Sequence, residues 1–205
     1  MYLYPIWIRL WHLVNAILIL ILIVTGAMML FTDTESQLLI RSFPGSVRLH
    51  DICAVTLTIS YMAFVVGNII SGNGKYYRIS GKDLFHDSGR QLKYFVWGMF
   101  RKERIPFPVT MEDKFNPLQK ITYFLIMYAA LPLLIISGII MLCPDMKIIG
   151  YLGAGFYVFT DILHIVLGFL ITVFLIIHIY TCTISSEPGS LFRSILSGYR
   201  ESEEQ

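Results

Sequence analysis

The sequence predicts an all-α integral membrane protein, a four-transmembrane-helix bundle forming one domain over residues 1–205. Three observations carry this reading. The chain is 56% hydrophobic with a mean hydropathy of +0.66, beyond the range of an ordinary soluble domain. Four long runs carry no Asp, Glu, Lys or Arg: Leu10–Thr32 (23 residues), Ile52–Gly74 (23), Ile121–Pro144 (24) and Ile162–Ser186 (25). Each exceeds the roughly 20 residues that cross the hydrocarbon of a bilayer. Finally, the connection from Ser71 to Lys120 holds ten of the sixteen basic residues, an asymmetry that fixes topology in membrane proteins.

The first helix is expected at about residues 10–32. Its flank carries Trp7 and Trp11 rather than a basic stretch, and no small-x-small cleavage site follows, so it reads as a retained span and not a secretory signal. The second helix is expected at about 49–72. The third, at about 117–143, opens on Asn116-Pro117, an N-cap followed by proline at the first helical position. The fourth, at about 160–184, is stopped by Glu187-Pro188-Gly189. A shorter uncharged run, Ile148–Thr160, is broken by Gly150, Gly153 and Gly155 and reads as interfacial or re-entrant. Within the long connection, Gln91–Arg101 mixes aromatic and basic residues and is expected to lie along the membrane surface, and Ile105–Thr110 reads as a turn. Ser190–Tyr199 is a short amphipathic piece before an acidic tail. No internal repeat or low-complexity segment stands out.

Basic residues favour the cytoplasmic side, which places the Ser71–Lys120 connection and both termini there, in a bacterial or archaeal cytoplasmic membrane. The other two connections then face outward. Cys53, Cys143 and Cys182 form no CxxC or CxxCH pattern, which excludes an iron–sulfur site and covalent haem attachment and leaves them as packing residues.

Four of the five histidines fall in or at the edges of the hydrophobic runs. His164 and His178 are 14 residues apart, four helical turns, so both leave one face of the fourth helix at levels roughly 21 Å apart. His12 opens the first helix on the inner side and His50 opens the second on the outer side. Depth therefore sorts them as His12 with His178 and His50 with His164. Polar side chains are costly at such depth, and two imidazoles on facing helices suit the axial positions of a low-spin haem. Two b-type haems, one at each level, follow from this arrangement. The plainer alternative is that each histidine merely hydrogen-bonds a neighbouring helix. Gly26, 14 residues after His12, either gives a porphyrin room or serves helix packing. Zinc would want four ligands close together, whereas these come two per level. Arg9, Arg41, Arg48 and Lys120 lie near the two levels as propionate partners or interface anchors. His86, among charges, reads as a surface residue.

With these residues in view, the chain resembles the di-haem cytochrome b subunits of bacterial formate dehydrogenase (the gamma subunit), thiosulfate reductase and nickel–iron hydrogenase. The resemblance runs over nearly the whole chain, through YPIWIRLWHLVNA with His12, LHDICAVTLTISYMAFVVGNIISGNGKYY with His50, KFNPLQKITYFLIMYAALPLLIISGIIML, LHIVLGFLITVFLIIHIYTCT with His164 and His178, and the closing GYRE. The KFNPLQK segment favours the formate dehydrogenase branch. The resemblance implies the same haem pairing and adds a menaquinone or ubiquinone site beside the inner haem, lined here by Asn116, Gln119 and Lys120. The Pro117-Leu118 between them departs from the small residues often found there.

The expected function is a quinone-reactive membrane anchor that passes electrons between an outer partner and the quinone pool. That partner would be a periplasmic iron–sulfur or multihaem cytochrome c subunit. Lipid and quinone are the other expected partners, and nucleic acid is not. Without an iron–sulfur motif or CxxCH, the chain is a subunit of an oxidoreductase rather than a stand-alone enzyme. Two rivals stand beside this: a haem-free anchor whose histidines only pack, and a small proton-coupled transporter, although the broken helices of transporter sites are missing from the pattern.

Overall fold

The computed structural model describes residues 2–31, 43–77, 84–101, 103–108, 114–143, 153–183 and 189–199. Six helices follow in order: α1 (Ile6–Phe31), α2 (Phe43–Ser71), α3 (Leu84–Lys93), α4 (Pro117–Leu142), α5 (Ala154–Thr183) and α6 (Ser190–Ser197). Four of them, α1, α2, α4 and α5, are long and apolar enough to cross a membrane, and the described residues contain no strand.

All four long helices begin before the uncharged runs do. α1 starts at Ile6, α2 at Phe43, α4 at Pro117 and α5 at Ala154, so Arg9, Arg48, Asp51, Lys120 and Asp161 lie inside helices. A charge ends an apolar run without ending a helix, because the backbone pairs internally while the side chain reaches toward the headgroups. The same effect corrects the reading of Ile148–Thr160. Residues 148–152 lie outside the described residues, but from Ala154 onward this stretch is the opening of α5, entered through Gly153 at φ +78. Residues 154–160 are thus helical and continuous with the fourth span.

The bundle consists of two antiparallel hairpins, α1/α2 and α4/α5, closed by sparser contacts of α2 with α4 and α1 with α5. Heptad spacing explains the intimacy of the first hairpin. α1 buries Ile8, Asn15, Leu18 and Thr25, and α2 buries Ser46, Cys53, Leu57, Phe64 and Asn68, in steps of three, four and seven. Small and polar residues in that seam let the backbones approach, as membrane helix pairs require. Leu18, Cys53, Leu57, Phe64, Met127 and Leu131 form the core, drawn from α1, α2 and α4. α5 stands further out and buries only Thr160, Leu167 and Ile171. Most other large apolar side chains face outward, as a lipid-facing surface demands.

Several polar groups inside the bundle bond across helices. Trp11 Nε1 donates to the Ser60 carbonyl at 3.0 Å, and Asn15 Nδ2 lies 2.8 Å from Ser60 Oγ. Pro132 has no N–H to offer the helix, and α4 answers with a wide turn over Leu125–Ala130 in which the Leu131 N–H reaches back to Ile126 O. That turn leaves the Met127 carbonyl without a helical donor, and Tyr61 Oη on α2 donates to it at 2.9 Å. The two hairpins are thereby tied at mid-height.

Both chain ends lie at one end of the bundle, here termed proximal, and the opposite end is distal. Leu3 N donates to Gly198 O at 2.9 Å, Tyr2 and Tyr199 rings pack 5.2 Å apart, and Arg9 donates to the Leu196 carbonyl. Lys114 Nζ donates to Leu3 O at 2.8 Å. α3 passes into a wide turn, Tyr94–Gly98, that leaves Val96, Trp97 and Phe100 exposed, with Arg101 over the Trp97 ring at 4.8 Å. Of the cysteines, Cys53 packs in the core, Cys182 is half-buried, and Cys143 is exposed at the end of α4, which does not suit a packing role.

Candidate functional site

The histidines meet in two pairs. At the proximal level His12 of α1 faces His178 of α5, with ring centroids 6.2 Å apart and ring planes at 56°. At the distal level His50 of α2 faces His164 of α5, at 6.3 Å and 68°. α5 supplies one imidazole to each pair because the 14-residue separation returns His178 to nearly the azimuth of His164. All four rings are half-buried.

The separation has a chemical meaning. A first-row metal bonds an imidazole nitrogen at about 2.0–2.1 Å and half a ring adds about 1.1 Å, so imidazoles on opposite sides of one metal have centroids about 6.3 Å apart. Both pairs stand at that distance. Among the described residues no three His, Cys, Asp or Glu side chains come together to hold a metal by themselves. Each pair has the spacing that two imidazoles would need to hold one iron between them, and the donor set would suit haem b.

Matching the chain to known families gives a consistent result: the model for prokaryotic cytochrome b561 matches residues 3–198. The chain belongs to that family. It is also similar, at 32% identity over 198 residues, to an Escherichia coli K12 protein named "Putative cytochrome YdhU", the match covering 97% of this chain and 74% of the relative. No solved structure gives a significant match. The protein is thus a membrane cytochrome of the b type, with haem b binding and electron transfer as its coarse function.

The two levels of this cytochrome differ in how their imidazoles are held. Distally, His50 Nδ1 lies 2.9 Å from Thr25 Oγ1 of α1, and His164 Nδ1 lies 2.9 Å from Ser137 Oγ of α4. Thr25 Oγ1 donates its proton to its own helix, at Ile21 O (2.8 Å), and Ser137 Oγ donates to Leu134 O (3.0 Å). A hydroxyl has one proton, so the imidazole Nδ1–H is the donor toward it. The Leu22 carbonyl is also bonded to His50 and the Leu134 carbonyl to His164, and Nε2 keeps its lone pair for a metal. The residue after each hydroxyl is glycine. A Cβ on Gly26 would stand 3.7 Å from His50 Cε1, and one on Gly138 would stand 3.2 Å from His164 Cε1. A Cβ at position 138 would thus crowd His164, whereas one at position 26 would make only ordinary contact with His50. Proximally, no hydrogen bond to His12 or His178 occurs among the described residues, and His178 instead stacks on Phe174, one turn earlier on α5, at 5.6 Å and 23°.

Thr25, Ser137 and Gly138 escape a reading of the sequence alone, yet a signal is there. Leu22–Leu30 reads LIVTGAMML and Leu134–Leu142 reads LIISGIIML, a short internal repeat placed at equivalent heights of α1 and α4. Each copy precedes, across one connection, the helix that bears a distal histidine.

Asn116 and Gln119 form a capping box at the start of α4. Asn116 Oδ1 accepts from Gln119 N at 2.8 Å, and Gln119 Oε1 accepts from Asn116 N at 3.1 Å. The carbonyl halves of both amides are thereby used structurally, and their NH2 groups keep their donors. Lys120 follows in the same first turn, its N–H bonded to Asn116 O at 3.0 Å. Arg9 is engaged by the α6 carbonyl already described. Arg48 is exposed beside Asp51 in an open cleft with Phe43 and Val47 at the distal end of α2, and Arg41 lies outside the described residues. His86 is exposed, 3.6 Å from Asp87.

Proposed function

We propose that this cytochrome is the membrane-anchoring di-haem subunit of a respiratory oxidoreductase, related to the formate dehydrogenase, thiosulfate reductase and hydrogenase subunits. It would connect a periplasmic iron–sulfur or multihaem cytochrome c subunit with menaquinone or ubiquinone. The observation that carries this reading is the presence of two imidazole pairs, each at the spacing of a shared iron, at two depths of one four-helix bundle. When bound, haem b supplies a reversible one-electron carrier.

The chain's own residues do the rest. His12 with His178 and His50 with His164 would hold the two irons. The apolar helices exclude water, and α5 ties both levels to one rigid element. The positively charged Ser71–Lys120 connection keeps the proximal end in the cytoplasm, so the distal pair and the cleft beside Arg48 and Asp51 face the periplasmic partner. At the proximal end the free NH2 donors of Asn116 and Gln119 suit a quinone carbonyl, and Lys120 suits proton delivery to it. Uptake of protons from the cytoplasm would then accompany inward electron movement.

A pyridine haemochrome assay on the purified chain tests the reading. Two haems b per polypeptide are expected. A chain folded in detergent without haem would leave a structural anchor or a transporter as the function. Gln119→Leu should slow quinone turnover while both haem spectra persist, and an unchanged rate and apparent affinity would return Gln119 to capping alone.

A further inference from the structure

We propose that Thr25 and Ser137 are positioning residues of the distal haem. Each accepts the Nδ1–H of one axial imidazole, presents Nε2 to the iron, and holds the distal potential lower than the bare imidazoles would set it. The inference rests on the di-haem reading and adds two residues that touch neither iron nor partner.

Several observations support it together. The contacts occur twice, at 2.9 Å each, on two different helix pairs. Both hydroxyls already place their proton on their own helix, so the imidazole contact is not needed to satisfy them and serves the histidine. Other back-bonded hydroxyls of the bundle, Thr58 and Thr172 among them, keep that bond without meeting an imidazole. Each positioning hydroxyl is followed by a glycine, and at Gly138 the missing Cβ lets the Cε1 edge of His164 approach the helix. The repeated Leu-Ile-x-Thr/Ser-Gly pattern gives both hairpins the same device: hydroxyl and glycine on the first helix, histidine on the second. An imidazole whose second nitrogen donates to an acceptor is oriented, fixed in one tautomer and more basic at the metal. Greater basicity favours the ferric state, which lowers the potential.

The test is a redox titration of the haem-loaded full chain, following the two b-type α-band components, with the distal component assigned as the one lost in His50→Ala. Thr25→Val and Ser137→Ala should each raise the midpoint of the distal component and leave the proximal one in place. Thr25→Ser and Ser137→Thr should restore it, and Thr172→Val should change neither. Should Thr25→Val lose the distal haem altogether, retention by Thr25→Ser supports the role of the hydroxyl, and loss in both variants overturns it in favour of packing. Unchanged potentials in Thr25→Val and Ser137→Ala, or equal movement of both components, also overturn the proposal. A wild-type chain without haem overturns the functional reading itself, whereas a haem-loaded chain indifferent to both hydroxyls overturns only the positioning role.

Discussion

The distal and proximal pairs have nearly the same ring separation and reach it by different means. The distal imidazoles are held from behind by hydroxyls on α1 and α4, and His164 is cleared by Gly138, so their geometry is written into the hairpins themselves. The proximal imidazoles sit where α1 and α5 touch sparsely, with Phe174 stacked on one of them and no hydrogen bond to either among the described residues. A site fixed on both sides of the ring keeps its potential and reorganises little. A site left to packing can adjust, which suits the end of the bundle where the starts of α1 and α4 and the chain termini converge.

The largest break in this comparison comes from removing ligands. His50→Ala and His164→Ala should each abolish one b-type component, and His12→Ala and His178→Ala the other, each losing about half of the haem per chain because a low-spin haem needs both axial ligands. Spectra of the four variants check this. If His12→Ala and His164→Ala removed the same component, the levels would be wrongly paired.

Glycine substitutions come next. Gly138→Val should disturb the distal component strongly, because any Cβ there starts 3.2 Å from His164 Cε1 and valine adds branches to it. Gly26→Ala, whose Cβ would meet His50 Cε1 at an ordinary 3.7 Å, should leave the distal spectrum close to wild type. Neither should move the proximal component. Equal effects from the two substitutions would mean that clearance at the rings is not what these glycines provide.

A smaller change should fall on both levels alike. Tyr61→Phe leaves the Met127 carbonyl in the wide turn of α4 without a donor, a loss worth about 1–3 kcal/mol for a buried acceptor. Thermal unfolding in detergent should show the loss, with both haem components declining together. Selective loss of one component would show that the wide turn supports that site in particular.

Much of this architecture was legible in the sequence, and the parts that were not have physical reasons. Uncharged runs revealed the four spans, because hydrocarbon thickness demands their length. The 14-residue step from His164 to His178 revealed the shared face, because four turns nearly close on themselves. Helix starts were less visible. Arg9, Asp51, Lys120 and Asp161 bounded the runs on paper, while the helices continued through these charges. Asn116 and Gln119 had a visible capping pattern, and the structure shows it formed. Thr25 and Ser137 were hidden for a different reason. A hydroxyl in a membrane helix ordinarily bonds back to its own backbone, as both do, and nothing in the local sequence tells which neighbour meets the remaining lone pair. Pro132 lies inside the third expected span, and nothing in the sequence tells that Tyr61, on another helix, satisfies the carbonyl left by the wide turn.

The finest distinction between the pairs is the angle between their rings, 68° distally and 56° proximally. Each axial imidazole splits two of the iron d orbitals along the plane of its own ring. Parallel rings reinforce that splitting, and rings near a right angle cancel it. The distal iron should therefore have the more nearly degenerate pair and the more anisotropic ferric resonance. Low-temperature electron paramagnetic resonance of the oxidised, haem-loaded chain should show two low-spin signals, with the one at lowest field lost in His50→Ala and retained in His12→Ala. The hydroxyls hold that angle, so Thr25→Val should shift the lowest-field signal while the other stays, even where the optical spectrum hardly changes. A distal signal less anisotropic than the proximal one would mean that bound haem turns these rings away from the angles the hairpins set, and that the hydrogen bonds to Thr25 and Ser137 are too weak to hold them.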